Sequence, residues 1–196
     1  GDVPEERRAH YLLAMHQDVL RLSDQVERVL DFGRLQKGKE LRIATTPSRD
    51  LLAKALRSGR SALRLAHQRV ELEVPRDLPP LACDVDVLAR ALKNLLENAA
   101  KYAPPGSTVG VRAFAQRDEV VVEVADRGPG VPQDERKSIF EPFVRGSTAG
   151  PGTPGSGLGL ALVQAAVKRH GGTVEVHDRP GGGALFTVTL PQAEAS

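Results

Sequence analysis

Cysteine is almost absent: Cys83 is the only one among 196 residues. That excludes an intramolecular disulfide, leaves no ligand set for a cysteine-rich zinc site, and fits a reducing, cytoplasmic setting. An excess of one charge is lacking as well. With 27 basic and 25 acidic side chains the formal net charge is +2, which supports neither a nucleic-acid partner nor direct contact with an anionic membrane, so any phosphate binding must be local. The longest apolar runs, such as Leu158 to Val163, fall far short of the roughly 18 apolar residues that suggest a membrane span. No signal-peptide pattern opens the chain, and no internal repeat runs through it.

What is present is the composition of an ordinary folded chain, 40% hydrophobic and 27% charged. At roughly 150 residues per domain the length amounts to about 1.3 domains, a remainder that asks for an explanation. The start, Gly1-Asp2-Val3-Pro4, carries no initiator methionine and leads at once into a helical pattern, so the chain reads as a piece of something longer. From Glu5 to about Lys37, Leu12, Met15, Val19, Leu22, Val26 and Val29 recur three and four residues apart. That is the narrow seam of a helical bundle, and it asks for a partner helix. Asp18, Arg21, Asp24, Glu27, Arg28 and Asp31 fill the other faces, and Lys37-Gly38-Lys39 marks a boundary. The competing reading, a surface helix packed on its own domain, predicts a broader apolar stripe.

Beyond that boundary the hydrophobic period changes repeatedly, as in an α+β or α/β domain. Strands are expected over Glu40 to Ala44 and Val70 to Val74, with a helix from Ser48, as a cap, to about Ala66. A second helix spans roughly Asp84 to Tyr102 and stops before Pro104-Pro105-Gly106. Strands over Thr108 to Ala115 and Val120 to Asp126 meet at Gln116-Arg117-Asp118, a hairpin signal. A glycine-rich stretch over 146–157 leads into a helix from about Leu158 to His170, closed by Gly171-Gly172. Thr173 to His177 and Ala184 to Leu190 form a last strand pair.

Three segments can carry chemistry. At about 100° per residue, Asn94, Asn98, Lys101 and Tyr102 share an arc of about 100° on the second helix, opposite Leu88, Leu92, Leu95, Leu96 and Ala99. One amide oxygen with phosphate oxygens and waters can hold Mg²⁺, and lysine adds a point charge; the competing reading is a solvated face. Glu97 lies about 60° off this arc and reads as a surface or supporting residue. Asp126 opens Asp126-Arg127-Gly128-Pro129-Gly130. An ionised carboxylate only accepts hydrogen bonds, so it suits the exocyclic amine of adenine and repels guanine's carbonyl, although Asp-x-Gly is also a common turn. Gly155-Ser156-Gly157-Leu158-Gly159 sits where free amides and the helix dipole favour phosphate. It is neither the dinucleotide fingerprint nor a P-loop, and a plain hinge competes.

The order of these elements is more specific than any one of them. Asn94 to Tyr102, then Asp126 to Gly130, then Phe140-Glu141-Pro142-Phe143, then Gly155 to Leu160 resemble the N, G1, F and G2 boxes of sensor histidine kinases of two-component signalling. The resemblance implies an α+β fold, a two-layer ATP-binding sandwich of the Bergerat type shared with gyrase and mismatch-repair ATPases, preceded by a bundle-forming helix. It implies that Asn98 ligates Mg²⁺, Asn94 supports the phosphate and metal site, Lys101 and Arg145 contact phosphate, and Tyr102 lies against the nucleotide. Asp126 would read the adenine amine in a pocket shaped by Gly128 and Gly130. Residues 144–156, following Phe143, would be the ATP lid, with Gly155, Gly157 and Gly159 as its hinge beside Ser156 and Leu158.

The first helix resembles the second helix of the family's dimerisation and phosphoacceptor hairpin. The expected division is therefore residues 1–39, half of that hairpin, and 40–196, the catalytic ATP-binding domain. ATP and Mg²⁺ are the implied cofactors. The implied partners are a response regulator receiver domain and a second copy of the full-length protein, which a membrane anchor can hold at the cytoplasmic face. The family's acceptor is a histidine followed by an acidic residue, and none of His10, His16, His67, His170 or His177 has that context. The expectation is a kinase half that binds ATP and does not phosphorylate itself. Two readings compete. Gyrase-type hydrolysis would need a glutamate where Asn94 stands. A non-catalytic nucleotide sensor or anti-sigma-like module would not need the intact boxes.

Overall fold

The computed structural model describes residues 5–36, 40–150 and 155–193. The boundary at Lys37-Gly38-Lys39 and part of the expected lid, 151–154, lie outside the described residues. Helix α1 (Glu5–Gln36) comes first, followed by β1 (Ala44–Thr46), α2 (Ser48–Leu65), β2 (Arg69–Glu73), β3 (Leu81–Cys83), α3 (Val85–Tyr102), β4 (Thr108–Gln116) and β5 (Glu119–Ala125). A short 3-10 turn (Ser138–Phe140), α4 (Gly159–Arg169), β6 (Thr173–Asp178) and β7 (Ala184–Pro191) complete the chain.

Five strands make one mixed sheet in the order β2-β4-β5-β7-β6, with β2 parallel to β4 and the other neighbours antiparallel. Burial alternates along β4 and β7, as it must when one face of a sheet is covered and the other meets water. Val109, Val111, Val122, Val124, Phe186 and Val188 face a helical layer carrying Leu51, Leu88, Leu92, Leu95 and Val163. Each fully buried leucine or valine contributes roughly 1.5–3 kcal/mol. The result is the two-layer α+β sandwich expected from the sequence. Helices α2 and α3 approach closely because Gly59 carries no Cβ, which would stand 2.9 Å from Leu96 Cδ1.

The first strand is a correction. Glu40 to Ala44 alternates like a strand, but the ladder begins only at Ala44, where Cys83 of β3 offers a partner. Ser48 is not a helix cap either: α2 is capped by Pro47 with no side-chain hydrogen bond. The buried Ser48 hydroxyl instead donates to the carbonyl of Pro79. The true side-chain cap is at α3, where Asp84 Oδ1 accepts from the amides of Asp86 and Val87, an arrangement typically worth about 1 kcal/mol.

Along α1, Leu12, Met15, Val19, Leu22, Val26 and Val29 are all more than half exposed, so the seam is not covered by the described residues. Helix α1 packs on α4, and Asp31 accepts from Arg90 Nη1 of α3 at 2.7 Å.

Candidate functional site

Helix α3, the turn after β5, the segment after the 3-10 turn and the start of α4 enclose a cavity of about 310 Å³. On its wall stand Asn98, Lys101 and Tyr102 of α3, Asp126 and Gly130, Arg145, and Gly155, Ser156, Gly157 and Gly159. Four sequence-predicted residues are not in the lining: Asn94, one turn back on α3, and Gly128, Phe143 and Leu158.

Asp126 emerges from the end of β5 and is only 4% exposed. Its Oδ1 accepts from the amides of Gly128 at 2.7 Å and Ala184 at 3.2 Å. Burial pushes the carboxyl pKa up, while these two amides and the Arg179 guanidinium act the other way. Gly128 serves this carboxylate rather than the cavity wall. A Cβ there would stand 2.9 Å from Asp126 Oδ1 and 3.0 Å from the Tyr102 carbonyl oxygen, so only glycine brings its amide close enough.

On the α3 wall, Lys101 Nζ donates to the Tyr102 hydroxyl at 2.8 Å and lies 4.5 Å from the centre of that ring. The hydroxyl oxygen accepts from the ammonium at the edge of the ring. Glu97, read from the helical wheel as a surface or supporting residue, lines the cavity and pairs with Lys93 at 3.2 Å.

The opposite wall is the start of α4. No side chain caps it, its first turn carries no acidic residue, and its last turn carries Lys168 and Arg169. Uncapped amides and the positive end of the dipole favour an anion there. Leu158, 1% exposed, anchors the helix start in the core, and Ser156 Oγ accepts from the Leu158 amide. Gly157 locks against the F-box segment. Its carbonyl accepts from the Phe143 amide at 3.1 Å, and at φ +73° a Cβ would stand 2.6 Å from the Phe143 carbonyl carbon. Phe143 itself is exposed, with φ +66°, whereas Phe140 is buried.

Among the described residues no group of three or more His, Cys, Asp or Glu side chains could hold a metal alone. Hard oxygen donors are nevertheless on the wall, in the Asn98 amide and the Glu97 carboxylate. That set fits a magnesium ion which takes its other oxygens from phosphate and water.

Sequence reasoning missed Gln25, which reaches the cavity from α1, and Ala184 and Phe186 of β7. Gln25 sits amid a seam pattern that reports on a bundle, so nothing in its neighbourhood signals a cavity more than 70 residues away in sequence. Phe186 follows the strand period and reads as core.

A mixed five-stranded sheet under a helical layer, with a buried carboxylate and an uncapped helix start facing one cavity, defines the Bergerat-type ATPase sandwich as the class. Residues 83–194 match the family described as histidine kinase-, DNA gyrase B-, and HSP90-like ATPase, and the chain belongs to that family.

Within the family the similarity is to sensor kinases. Sensor protein KdpD of Escherichia coli K12 is 36% identical over 193 residues, which is 98% of this chain and 21% of KdpD. The signal transduction histidine-protein kinase/phosphatase MprB of Mycobacterium sp. strain KMS is 54% identical over 114 residues, 55% of this chain and 22% of MprB. The chain thus spans about a fifth of the length of these curated relatives. Among solved structures, full-length ShkA in complex with AMPPNP matches with a TM-score of 0.82 at 32% identity, over 100% of this chain and 41% of that one.

Proposed function

We propose that this chain is the ATP-binding catalytic portion of a sensor histidine kinase, residues 40–196 forming the catalytic unit and 1–39 one helix of a dimerisation and phosphoacceptor hairpin. The observation that carries this reading is the convergence, in one cavity, of a carboxylate suited to an amine with a set suited to phosphate. The AMPPNP complex of the similar ShkA supports a nucleotide as the occupant.

Asp126 accepts from the adenine amine, and Gly130, at φ +76°, lets the backbone approach the base. Lys101, Arg145 and the amides at the start of α4 hold the phosphates, with Gly155, Ser156, Gly157 and Gly159 shaping the approach. Leu158 and Phe143 brace that segment, and Tyr102 lies beside the nucleotide. Asn98, supported by Asn94, holds Mg²⁺, which when bound neutralises phosphate charge. Catalysis of this kind is chiefly positioning and electrostatics.

The phosphoryl group passes to a histidine outside this chain and then to an aspartate of a response regulator receiver domain. His170 is buried with both ring nitrogens engaged, and His177 lies 3.3 Å from Glu175, so neither is presented to the cavity. The exposed seam of α1 pairs with its missing helix and a second copy. A separately supplied acceptor hairpin should be labelled by this chain with ATP and Mg²⁺, while the chain alone incorporates none. Label in the isolated chain, or steady multi-turnover hydrolysis abolished by Asn94→Ala, would overturn the reading.

A further inference from the structure

The reading above needs Asp126 ionised, because a protonated carboxyl turns a hydroxyl donor toward a partner that is itself a donor. The setting works against that charge, since the residue is almost wholly buried. The charged groups around it come from several elements. Glu97 and Lys101 project from α3 into the same cavity, as does Arg145 from the segment before α4; Arg127, next in the chain, is exposed. Arg179, in the turn between β6 and β7, is different, because its guanidinium is tied to the strand end that bears the carboxylate.

Arg179 Nη1 donates to the carbonyl of Asp126 at 3.1 Å and to that of Thr108 at 3.4 Å, joining the end of β5 to the start of β4. Its own backbone closes the turn: its amide donates to the Gly183 carbonyl, and its carbonyl accepts from Gly182. Gly183, at φ +109°, presses on the same place, where a Cβ would stand 2.0 Å from the Asp126 carbonyl oxygen. Ala184 completes the lock, its carbonyl accepting from the Asp126 amide and its amide donating to the carboxylate. The neighbouring Asp178 is paired with Arg136 at 2.6 Å, which engages that negative charge away from Asp126.

We propose that Arg179 is a positioning residue for Asp126: anchored on the carbonyls of Asp126 and Thr108, its guanidinium fixes the backbone that carries the carboxylate and keeps that carboxylate ionised for nucleotide recognition. The proposal rests on the nucleotide reading of the cavity. Its direction agrees with the lowering effect of Arg179 on a carboxyl that burial pushes up.

The test uses the whole chain as wild type, Arg179→Gln and Arg179→Lys. The carboxyl carbon of Asp126 is titrated by NMR without nucleotide, and ATP affinity is measured across the same pH range. Glutamine keeps a donor but no charge, so the Asp126 midpoint should move to higher pH. ATP binding should weaken about three- to tenfold at a pH just below the variant's own measured midpoint, yet stay within about twofold at about pH 8. Lysine keeps the charge without the planar fork and should fall between. One midpoint in all three proteins, or an equal loss of affinity at both pH values, would overturn the proposal. If wild type shows no affinity for adenine nucleotides, the functional reading fails, and the NMR titration still decides whether Arg179 governs Asp126.

Discussion

In an Asp126→Asn variant the side chain keeps its shape and one carbonyl oxygen, so the amides of Gly128 and Ala184, 2.7 and 3.2 Å from Oδ1, retain an acceptor. The other position becomes an NH₂ donor, and the cavity that Asp126 lines loses the acceptor proposed to meet adenine. A hydrogen bond to a charged group is worth about 1.5–3 kcal/mol, and a donor facing a donor adds a desolvation cost. At about 1.4 kcal/mol per decade, ATP affinity should fall at least about ten- to a hundredfold.

Stability should move little, and the sign follows from the pKa direction. Burial raises the folded-state pKa of this carboxyl above its unfolded value, so the folded state holds the proton more tightly. Ionisation therefore costs no stability below the unfolded pKa, an increasing amount as pH rises through the folded pKa, and the full amount at neutral pH. A neutral amide removes that cost while weakening the two amide bonds, and the effects oppose. Calorimetric titration with ATP and GTP beside thermal melting checks both halves. The new NH₂ can meet guanine's carbonyl, so discrimination against GTP should shrink. Wild-type ATP affinity in the variant would refute the role of Asp126. A fall in Tm of about 10 °C or more would refute the separation of recognition from stability.

Gly157→Ala should cost about 1–3 kcal/mol, because its Cβ meets Phe143 backbone at a positive φ that alanine rarely adopts; a urea midpoint equal to wild type would contradict this. Gln25→Ala should weaken ATP about two- to fivefold, the scale of one neutral hydrogen bond, with no change in melting. Unchanged affinity would mean that α1 stands clear of the bound nucleotide. His170 supplies a pH dependence. Burial pushes its pKa down, so its contribution is fully present above the ordinary histidine value of about 6.5 and is lost as pH falls through that value toward the folded pKa. His170→Gln should flatten the acid side of the stability curve, and an unaltered curve would count against it.

How legible all this is from sequence depends on the range of the interaction. Helix α3 announces itself, because Leu88, Leu92, Leu95 and Leu96 repeat at the helical period. The hairpin of β4 and β5 does so too, through alternation and a two-residue turn whose Arg117 takes φ +54°. Pattern fails where a partner decides the outcome. Glu40 to Ile43 alternates correctly yet finds no ladder, and Ser48 has a cap's chemistry but spends it on the Pro79 carbonyl. In the candidate site, Asp126 and the glycine segment carry local signals. Arg179 and Gln25 act across more than 50 residues of sequence, and a single chain offers no clue to such pairs.

The same logic explains why His170, remote from the cavity, bears on it. Asp84 begins α3, the helix that carries Asn98 and Lys101, and His170 ends α4, whose other end faces the proposed phosphates. The amide of Asp84 donates to His170 Nε2 at 3.0 Å, and His170 Nδ1 lies 2.7 Å from the Ala166 carbonyl. A neutral ring protonated on Nδ1 satisfies both contacts, whereas an imidazolium has no lone pair left for the Asp84 amide. Asp84 responds in the same direction. Burial pushes its carboxyl up, but the amides of Arg42, Val87 and Asp86, with a smaller contribution from His170, outweigh this and leave its pKa lowered. Its stabilisation is therefore present above the unfolded carboxyl pKa and lost as pH falls through the folded one. Acid thus weakens both ends of one junction between α3 and α4, the loss of the histidine's contribution beginning at the higher pH. Because these two helices carry opposite walls of the cavity, loosening their junction should weaken nucleotide binding at a pH where the sheet beneath them is still intact.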